Sequence, residues 1–165
     1  MPSRAALLLL EKPESVFGLH PRPAALLVDL EGTLTGFCPS RTSVIDAVVA
    51  FDAVAVRNGL DLHRVHYVTN AGLKVLEGQG HGVSARVHVH ARKPFFTPPS
   101  QFRMLGAGTV VVGDQYLTDG LMAWRFGFSF GLVTPSGRPP TWPRAQLFVG
   151  RTLSCAFFRL VDRTR

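Results

Sequence analysis

A short apolar run that ends in two carboxylates is the feature of this chain that most constrains its fold. Residues 26–34 read Leu-Leu-Val-Asp-Leu-Glu-Gly-Thr-Leu, so the run stops at Asp29 and Glu31. A buried strand of this kind delivers its terminal acids to the carboxyl edge of an open α/β sheet, where ligands bind. Because residues two apart in an extended segment point the same way, Asp29 and Glu31 are predicted to face one site. The alternative is a strand that runs into an ordinary acidic turn.

Three further segments carry polar residues at informative positions. In two of them the polar residues end an apolar run, and in the third a lysine directly precedes a proline. In chain order these residues are Thr69, Asn70, Lys93, Asp114 and Asp119. A carboxylate that attacks phosphorus forms a covalent aspartyl-phosphate, and a distant Asp shares Mg²⁺ with that carboxylate and the phosphate. A hydroxyl and a lysine hold the equatorial phosphate oxygens. The order of these residues therefore predicts Mg²⁺-dependent phosphoryl transfer.

The rest of the chain alternates between strand and helix patterns. Strands are predicted over 25–29, 64–69, 86–90, 109–112 and 128–133, and helices over 44–57, 71–77, 98–105 and 117–126. Ser43 and Asp46 are predicted to cap the first helix, although its many valines leave a strand as the alternative. Gly127 is predicted to end the last helix. This alternation indicates the α/β class, with a parallel sheet flanked by helices and right-handed crossovers.

Length and spacing predict a single domain over residues 1–165. With 165 residues and 46% apolar content, the chain is long enough to bury a proper core. Residues 1–24 are a proline-rich lead-in, and residues 142–165 are predicted to form a basic C-terminal helix. The gaps between Asp29 and Lys93 hold one helix each with its connections, which leaves no room for a cap domain over the site.

The charge of the chain limits the classes of partner that we expect. A net charge of +7 and a pI near 10.4 favour phosphate-rich partners: nucleic acid, anionic lipid or phosphorylated small molecules. Nucleic acid is the least expected of these, because no known nucleic-acid-binding motif or basic run is present. No apolar run approaches the ~20 residues of a membrane span, and residues 7–10 are too short for a signal-peptide core. We therefore expect a cytoplasmic protein, with peripheral contact at the inner face of the membrane as a further expectation.

The C-terminal segment suggests how such contact would be made. A helix over 142–165 places an apolar stripe on one side, formed by Val149, Leu153, Ala156 and Leu160, and arginines near the other, Arg144, Arg151 and Arg159. Arginines beside aromatic rings suit an anionic membrane interface. The alternative is a terminal helix that packs on the sheet and leaves its basic face in solvent.

The order of these motifs resembles the haloacid dehalogenase (HAD) phosphatase superfamily, and more narrowly its capless YqeG-type members of subfamily IIIA. The resemblance covers nearly the whole chain and rests on residues 12–16, 29–33, 91–94, 113–119 and 125–127 and on the basic C-terminal segment. Members of this subfamily include phosphatidylglycerophosphate phosphatases. The resemblance implies a three-layer Rossmann-like fold without a cap and a Mg²⁺-dependent phosphatase acting on a phosphomonoester, with phosphatidylglycerophosphate as the best guess.

The resemblance also implies a role for each site residue. Asp29 is the nucleophile and a metal ligand. Glu31 protonates the leaving oxygen, then activates water, and its carbonyl oxygen joins the metal shell. The phosphate-binding residues are Thr69, Asn70 and Lys93. Asp114 is the distal metal ligand and Asp119 supports the metal ligands, with compensation of a helix dipole as the alternative role for Asp119.

Two departures from the family pattern keep other functions open. The family has Asp where this chain has Glu31, and Gly-Asn where it has Ala123 and Trp124. Glutamate can make the same proton transfers, but its carboxyl lies one methylene further out. One alternative is a soluble sugar- or nucleotide-phosphate phosphatase. Another is a weakened or non-catalytic HAD-like module that binds anionic lipid or nucleic acid, and an oligomer is compatible with any of these functions.

Overall fold

One parallel sheet organises the part of the chain that the computed structural model describes, namely residues 6–37, 40–70, 86–89, 91–93, 105–106, 108–135, 150 and 158–160. Within these residues there are seven strands: β1 (Ala6–Leu10), β2 (Ala25–Val28), β3 (Val65–Val68), β4 (Val87–His88), β5 (Thr109–Gly113), β6 (Ser129–Val133) and β7 (Arg159–Leu160). Their order across the sheet is β4-β3-β2-β5-β6-β1-β7, and each neighbouring pair is parallel. The predicted α/β class with a parallel sheet is confirmed.

The strand order reverses at the boundary between β2 and β5. From β2 the chain adds β3 and β4 on one side, then returns to form β5 and β6 on the other. The register pairs Val28 with Val112, and the Asp29 N–H donates to the Val112 carbonyl at 2.9 Å. Open α/β sheets bind ligands outside the carboxyl ends of the strands at such a switch point. Asp29 and Asp114 are the first residues beyond β2 and β5, so the topology brings them to this point.

Both faces of the central strands β2, β3 and β5 are buried, which explains their almost continuous apolar runs. On one face, side chains of α1 (Arg41–Arg57) share an apolar cluster with Leu26 and Val28. On the other face, side chains of α2 (Leu121–Phe126) share a second cluster with Leu27. Successive residues of β2 therefore pack against opposite layers.

The first helix begins earlier than its predicted cap. The Ser40 hydroxyl accepts a hydrogen bond from the Ser43 N–H at 3.2 Å, and the Ser43 hydroxyl donates to the Ser40 carbonyl at 2.8 Å. Ser40 is thus the N-cap, and the prediction that Ser43 caps with Asp46 was wrong by three residues. Ser43 lies inside the first turn because its hydroxyl is already turned back onto the cap residue. The helix itself is confirmed, and the strand alternative for this segment is excluded.

The lead-in contains regular structure that the sequence did not predict. Residues Ala6–Leu10 form β1 between β6 and β7, and Pro13–Gly18 form a 3₁₀ turn. A run of four leucines has neither the period of a strand nor that of a helix, so only its pairing with β6 decides its state. The predicted helix over 117–126 is also divided: Tyr116–Gly120 form a π-helical turn and α2 follows, ending at Gly127 (φ 70°) as predicted.

The C-terminal helix over 142–165 was wrong at its described residues 159–160. Arg159–Leu160 form β7, which extends the sheet by pairing Ala6 with Arg159 and Leu7 with Leu160. Phe158 is buried, with its ring centroid 5.8 Å from that of Phe130. The two residues of β7 therefore extend the sheet and are not part of a helix. Residue 150 is helical, and the remainder of 142–165 lies outside the described residues.

Other predicted elements differ at their ends or fall outside the described residues. The strand predicted over 86–90 is the two-residue β4, and Leu105, at the end of the predicted helix 98–105, is not helical. Residues 71–77 and 98–104 lie outside the described part of the chain. Among the described helices, we find none that combines the length and the apolar character needed to cross a membrane.

Candidate functional site

Three buried carboxylates meet at the switch point of the sheet. Asp29 follows β2, Asp114 follows β5, and Asp119 lies in the π-helical turn beyond β5. One oxygen from each lies within 4.8 Å of the others. Asp29 is 7% exposed, while Asp114 and Asp119 are fully buried. The fold thus gathers three of the acids predicted from the sequence into one group.

Lys93 is the cation of this group. Its Nζ lies 2.7 Å from Asp29 Oδ1 and 2.5 Å from Asp119 Oδ1. The Asp29 Oδ1 atom also accepts the Leu30 N–H at 2.9 Å, whereas Asp29 Oδ2 accepts no hydrogen bond from the described residues. One oxygen of Asp29 is therefore held in place, and the other is available for chemistry.

The segment that carries Lys93 is held by hydrogen bonds at two residues, Ala91 and Lys93. The Ala91 N–H donates to the Thr69 carbonyl at 3.0 Å, and the Lys93 N–H donates to Asn70 Oδ1 at 2.7 Å. Between them, Arg92 adopts a left-handed conformation with φ 51°. A non-glycine residue in this region is uncommon and persists only where its surroundings demand it. Here the turn at Arg92 brings Lys93 inward to the carboxylates.

Asp114, unlike Asp29 and Asp119, forms no ion pair with Lys93. It is fully buried, and neither of its carboxylate oxygens has a hydrogen-bond partner among the described residues. Gly32 packs its backbone directly against this side chain: a Cβ at position 32 would lie 2.5 Å from Asp114 Oδ2. Gly32 also has φ 82°, so glycine is required here both for space and for conformation. When ionised, a carboxylate can only accept hydrogen bonds, so its ionised form is favourable at such a buried position only beside a cation.

The π-helical turn positions Asp119. The Asp119 and Gly120 N–H groups both donate to the Gln115 carbonyl, at 3.0 and 3.1 Å, and Asp119 Oδ2 accepts the Gln115 N–H at 3.3 Å. A Cβ on Gly113 would lie 2.5 Å from Asp119 Oδ2, so the strand end must be glycine for the carboxylate to turn inward. Wide turns of this kind frequently occur at functional sites.

Burial and mutual repulsion make the group unstable as three carboxylates. Burial, then the Asp119 carboxylate, raises the pKa of Asp29 to about 7, against the opposing pull of Lys93. Burial, then the carboxylates of Asp119 and Asp29, raises the pKa of Asp114 to about 8. Burial lowers the pKa of Lys93, but the carboxylates of Asp119 and Asp29 outweigh it, and its pKa rises. One ammonium against three carboxylates leaves two negative charges, which a single divalent cation would balance.

The donor set suits a hard cation. Carboxylate oxygens are the ligands that Mg²⁺ and Ca²⁺ prefer, and the group contains neither thiolate nor imidazole. The unpartnered oxygens of Asp114 and the net negative charge are the features that such an ion would satisfy. The residues present therefore fit Mg²⁺.

Glu31 lies apart from the three carboxylates. β2 ends at Val28, so the alternation that would aim Asp29 and Glu31 at one site does not extend to them. The backbone of Glu31 instead pairs with Thr35, in a turn where the Gly32 N–H donates to the Thr35 carbonyl at 2.9 Å. Its side chain is half-buried and its carboxylate is not part of the cluster around Asp114.

The predicted phosphate-binding residues flank the group in different ways. Thr69 is 1% exposed and its backbone spans β4 and the Lys93 segment, accepting from Ala91 and donating to His88. Asn70 is exposed, and its side-chain oxygen accepts a hydrogen bond from the Lys93 N–H. The observed contact of Asn70 thus positions Lys93.

Two buried features, one in the loop after β2 and one outside the carboxylate group, were missed in the sequence. Thr33 is 1% exposed, and its hydroxyl has no hydrogen-bond partner among the described residues. Its place in the acid-Gly-Thr block was a signal that could have identified it. The buried pair of Asp52 and Arg86, which adjoins β4, was missed as well. No local pattern links these two residues, because they meet only when α1 packs on the sheet.

Comparison with known proteins provides no family assignment: no protein-family model, no curated protein and no solved structure matches the chain.

Proposed function

We propose that this protein is a Mg²⁺-dependent phosphomonoester phosphatase of the HAD type that works through an aspartyl-phosphate. The observation that carries the proposal is the buried group of Asp29, Asp114 and Asp119 around Lys93 at the switch point. The group combines a nucleophile, a cation-binding set and a cation for phosphate. A structural role does not account for it, because buried carboxylates without full compensation destabilise a fold.

Asp29 Oδ2 is the oxygen that we assign to attack. Lys93 and the Leu30 N–H hold Oδ1, which orients Oδ2 without occupying it. Attack forms a bond between Oδ2 and phosphorus while the bond from phosphorus to the leaving oxygen breaks. Lys93, already aligned beside the nucleophile, binds an equatorial phosphate oxygen and stabilises the charge that develops there.

Glu31 carries the proton transfers in this proposal. Its carboxyl gives a proton to the leaving oxygen and then takes one from the water that hydrolyses the aspartyl-phosphate. Hydrolysis releases inorganic phosphate and restores the Asp29 carboxylate. The partial exposure of Glu31 supports the assignment, since an acid/base must exchange protons with solvent between turnovers. Thr69 and Asn70 complete the phosphate-binding set.

The metal site uses hard oxygen donors. Asp29, Asp114 and the Glu31 carbonyl oxygen would hold Mg²⁺, with Asp119 beside them orienting Lys93. When bound, the ion neutralises charge on the attacking and transferred oxygens. The buried oxygens of Asp114, which lack a partner among the described residues, support its assignment as the distal ligand.

A phosphatase assay with paired variants tests the proposal. The wild type should hydrolyse a soluble aryl phosphomonoester with Mg²⁺ and lose that activity in EDTA. Asp29→Asn should reduce turnover to background because an amide cannot attack phosphorus. Asp46→Asn, an exposed position in α1, is the matched control and should keep full activity. Full turnover in a clean Asp29→Asn preparation would contradict the covalent mechanism.

For the substrate we propose a lipid phosphate, with phosphatidylglycerophosphate as the best candidate, hydrolysed by a cytoplasmic protein at the inner face of the membrane. The net charge of +7 supports contact with an anionic surface. Three exposed arginines, Arg22, Arg57 and Arg64, lie near the amino ends of β2 and β3, at the edge opposite the site. Contact through these arginines alone would turn the site away from the lipid, so a lipid substrate requires other contacts.

Vesicles distinguish the substrates. Phosphatidylglycerol vesicles should bind the wild type at low salt and release it near 1 M salt, where the Debye length is ~3 Å. Hydrolysis of vesicle-borne phosphatidylglycerophosphate should then exceed that of sugar and nucleotide phosphates. Absence of vesicle binding at low salt, together with turnover of soluble esters, would favour the soluble phosphatase instead.

A non-catalytic module is the second candidate, and the position of Glu31 outside the carboxylate cluster favours it. Such a module would keep the cation-binding and phosphate-binding groups but lack a placed acid/base. Beryllofluoride with Mg²⁺ would then raise the melting temperature of the wild type, while no phosphomonoester in the panel would be hydrolysed. Turnover of any ester at a rate lost in Asp29→Asn excludes this candidate.

A further inference from the structure

A second buried ion pair lies outside the carboxylate group. Arg86 Nη1 donates to Asp52 Oδ1 at 2.9 Å, and Nη2 donates to Asp52 Oδ2 at 2.5 Å. The two side chains are only 10% and 12% exposed. The Tyr67 hydroxyl donates to Asp52 Oδ1 at 2.6 Å. The pair therefore joins α1, β3 and the residue that precedes β4 in one buried contact.

Stability alone is a poor reason for such a pair. Withdrawing two charges from water costs about as much as their attraction returns, and apolar residues of similar volume often serve the fold equally well. The best-attested use of a buried ion pair is to specify register or pairing. Its bidentate geometry suits that use, because two parallel hydrogen bonds accept only one relative placement of the elements.

β4 is the strand whose register needs specifying. It has two residues, and among the described strands it pairs only with β3. The Tyr67 N–H donates to the Arg86 carbonyl at 2.8 Å, and the Thr69 N–H donates to the His88 carbonyl at 3.0 Å. A strand of two residues has a short ladder that holds it weakly, and a slip of one residue reverses which face each side chain occupies.

The position of Lys93 depends on that register. The ladder continues from β4 through the bond from Ala91 to Thr69, and the next bond joins Lys93 to Asn70. A one-residue slip moves the following chain by about 3.3 Å. The Lys93 Nζ lies 2.7 Å from Asp29 Oδ1, so a movement of that size separates the two charges.

We propose that Asp52 and Arg86 are positioning residues: their ion pair holds β4 in register on β3 and so delivers Lys93 to Asp29. The described hydrogen bonds of the pair join its two side chains to each other, to Tyr67 and to the Val65 carbonyl, and none of these residues belongs to the carboxylate group. The pair acts through the backbone from residue 86 to residue 93. Only the kinetic consequence rests on the proposed function, since the delivery of Lys93 is a property of the fold itself.

Amine labelling of Lys93, followed by mass spectrometry, tests the proposal without any need for activity. In the wild type, Lys93 should label far more slowly than the exposed Lys12, because it is buried and paired. Arg86→Met should raise the labelling rate of Lys93 several-fold and leave Lys12 unchanged. Arg64→Met, at an exposed arginine next to β3, is the matched control and should leave both rates unchanged.

Two further variants separate register from stability. The double variant Asp52→Leu/Arg86→Met removes both charges, so it should fold even if Arg86→Met does not. In the double variant Lys93 should still label faster than in the wild type, because the apolar contact does not set register. If the wild type is a phosphatase, turnover should fall by about 100-fold in the same variant. In Arg86→Lys, the labelling rate of Lys93 should lie between that of the wild type and that of Arg86→Met. A folded double variant in which Lys93 is as protected as in the wild type would overturn the proposal, whatever its activity.

Discussion

At the scale of single residues, Asp114 shows most clearly that the carboxylate group does not stabilise the fold. Its carboxylate is fully buried without a partner among the described residues, next to two other carboxylates. The pKa values of Asp114 and Asp29 lie above their ordinary value of 3.8, at about 8 and about 7. A carboxyl with a raised pKa resists ionisation in the folded state. Without metal, the contribution of these two carboxyls to stability is therefore fully present below about pH 4 and is lost as the pH rises toward 8.

We expect Asp114→Asn to stabilise the metal-free protein at pH 8. The amide removes a buried charge, a change worth on the order of 1–3 kcal/mol in the free energy of unfolding. Urea unfolding in EDTA measures the gain. The gain should vanish at pH 4, where Asp114 is already protonated, and Asp46→Asn should stay within about 0.5 kcal/mol at both pH values. Loss of stability in Asp114→Asn at pH 8 would show that the carboxylate has a stabilising partner.

The length of the side chain matters most at Glu31. Its carboxyl lies one methylene further out than that of an aspartate, and misplacement of a reacting group by about 1 Å can lower a rate about 100-fold. We expect Glu31→Asp to raise the turnover number and Glu31→Gln to lower it, since the amide transfers no proton. Steady-state assays at pH 7 measure both. Equal rates for the three forms would mean that residue 31 takes no part in proton transfer.

At the scale of elements, the site depends on where strands stop and how tightly the next turn closes. β5 ends at Gly113, and the π-helical turn that follows brings Asp119 back onto that glycine. The loop after β2 brings Gly32 against Asp114 in the same way. Glycines at these two close approaches, rather than the helices, determine how near the carboxylates come.

Gly113→Ala tests this dependence. Its Cβ would lie 2.5 Å from Asp119 Oδ2, so Asp119 must move and its contact with Lys93 must lengthen. We expect a loss of phosphatase activity of about 100-fold for a displacement of about 1 Å. Gly18→Ala is the control, because a Cβ there meets nothing within 4 Å. Unchanged activity in Gly113→Ala would mean that Asp119 does not hold Lys93 in the active arrangement.

At the scale of the whole molecule, the two ends of the described chain complete the sheet together. β1 lies between β6 and β7, and Phe158 covers Phe130 on the face that carries α2. Removal of residues 142–165 is therefore expected to destabilise the domain as well as to change any contact with lipid. A truncated protein alone does not separate membrane binding from folding.

Phe158→Ala measures how much the C-terminal segment contributes to the core. Phe158 is 5% exposed, and truncation of a buried phenylalanine costs about 3–5 kcal/mol in the free energy of unfolding. Denaturant unfolding in urea gives the value. Leu9→Ala, at a β1 side chain that is 61% exposed, is the control and should stay within about 0.5 kcal/mol. If Phe158→Ala lowers the free energy of unfolding by less than about 1 kcal/mol, the segment packs loosely on the sheet.

The sequence by itself determined the α/β class, the central strands and the acids at their ends. These features are local: an apolar run and the polar residue that stops it are adjacent in the chain, so Asp29 and Asp114 could be assigned without knowledge of the fold. The same holds for Lys93 and Asp119, whose motifs are short. The prediction for Glu31 rested on alternation along a strand, and alternation extends only as far as the strand, which stops at Val28.

Only the tertiary structure decided the features that depend on pairing between distant segments. The state of the leucines in β1 and of residues 159–160 follows from their mutual hydrogen bonds, which no local pattern announces. The distance from Lys93 to its two carboxylates, and the meeting of Asp52 with Arg86, are set by strand register and helix packing. Local propensity differs little between helix and strand for such residues, so the free energy of burial and pairing across the sheet makes the choice.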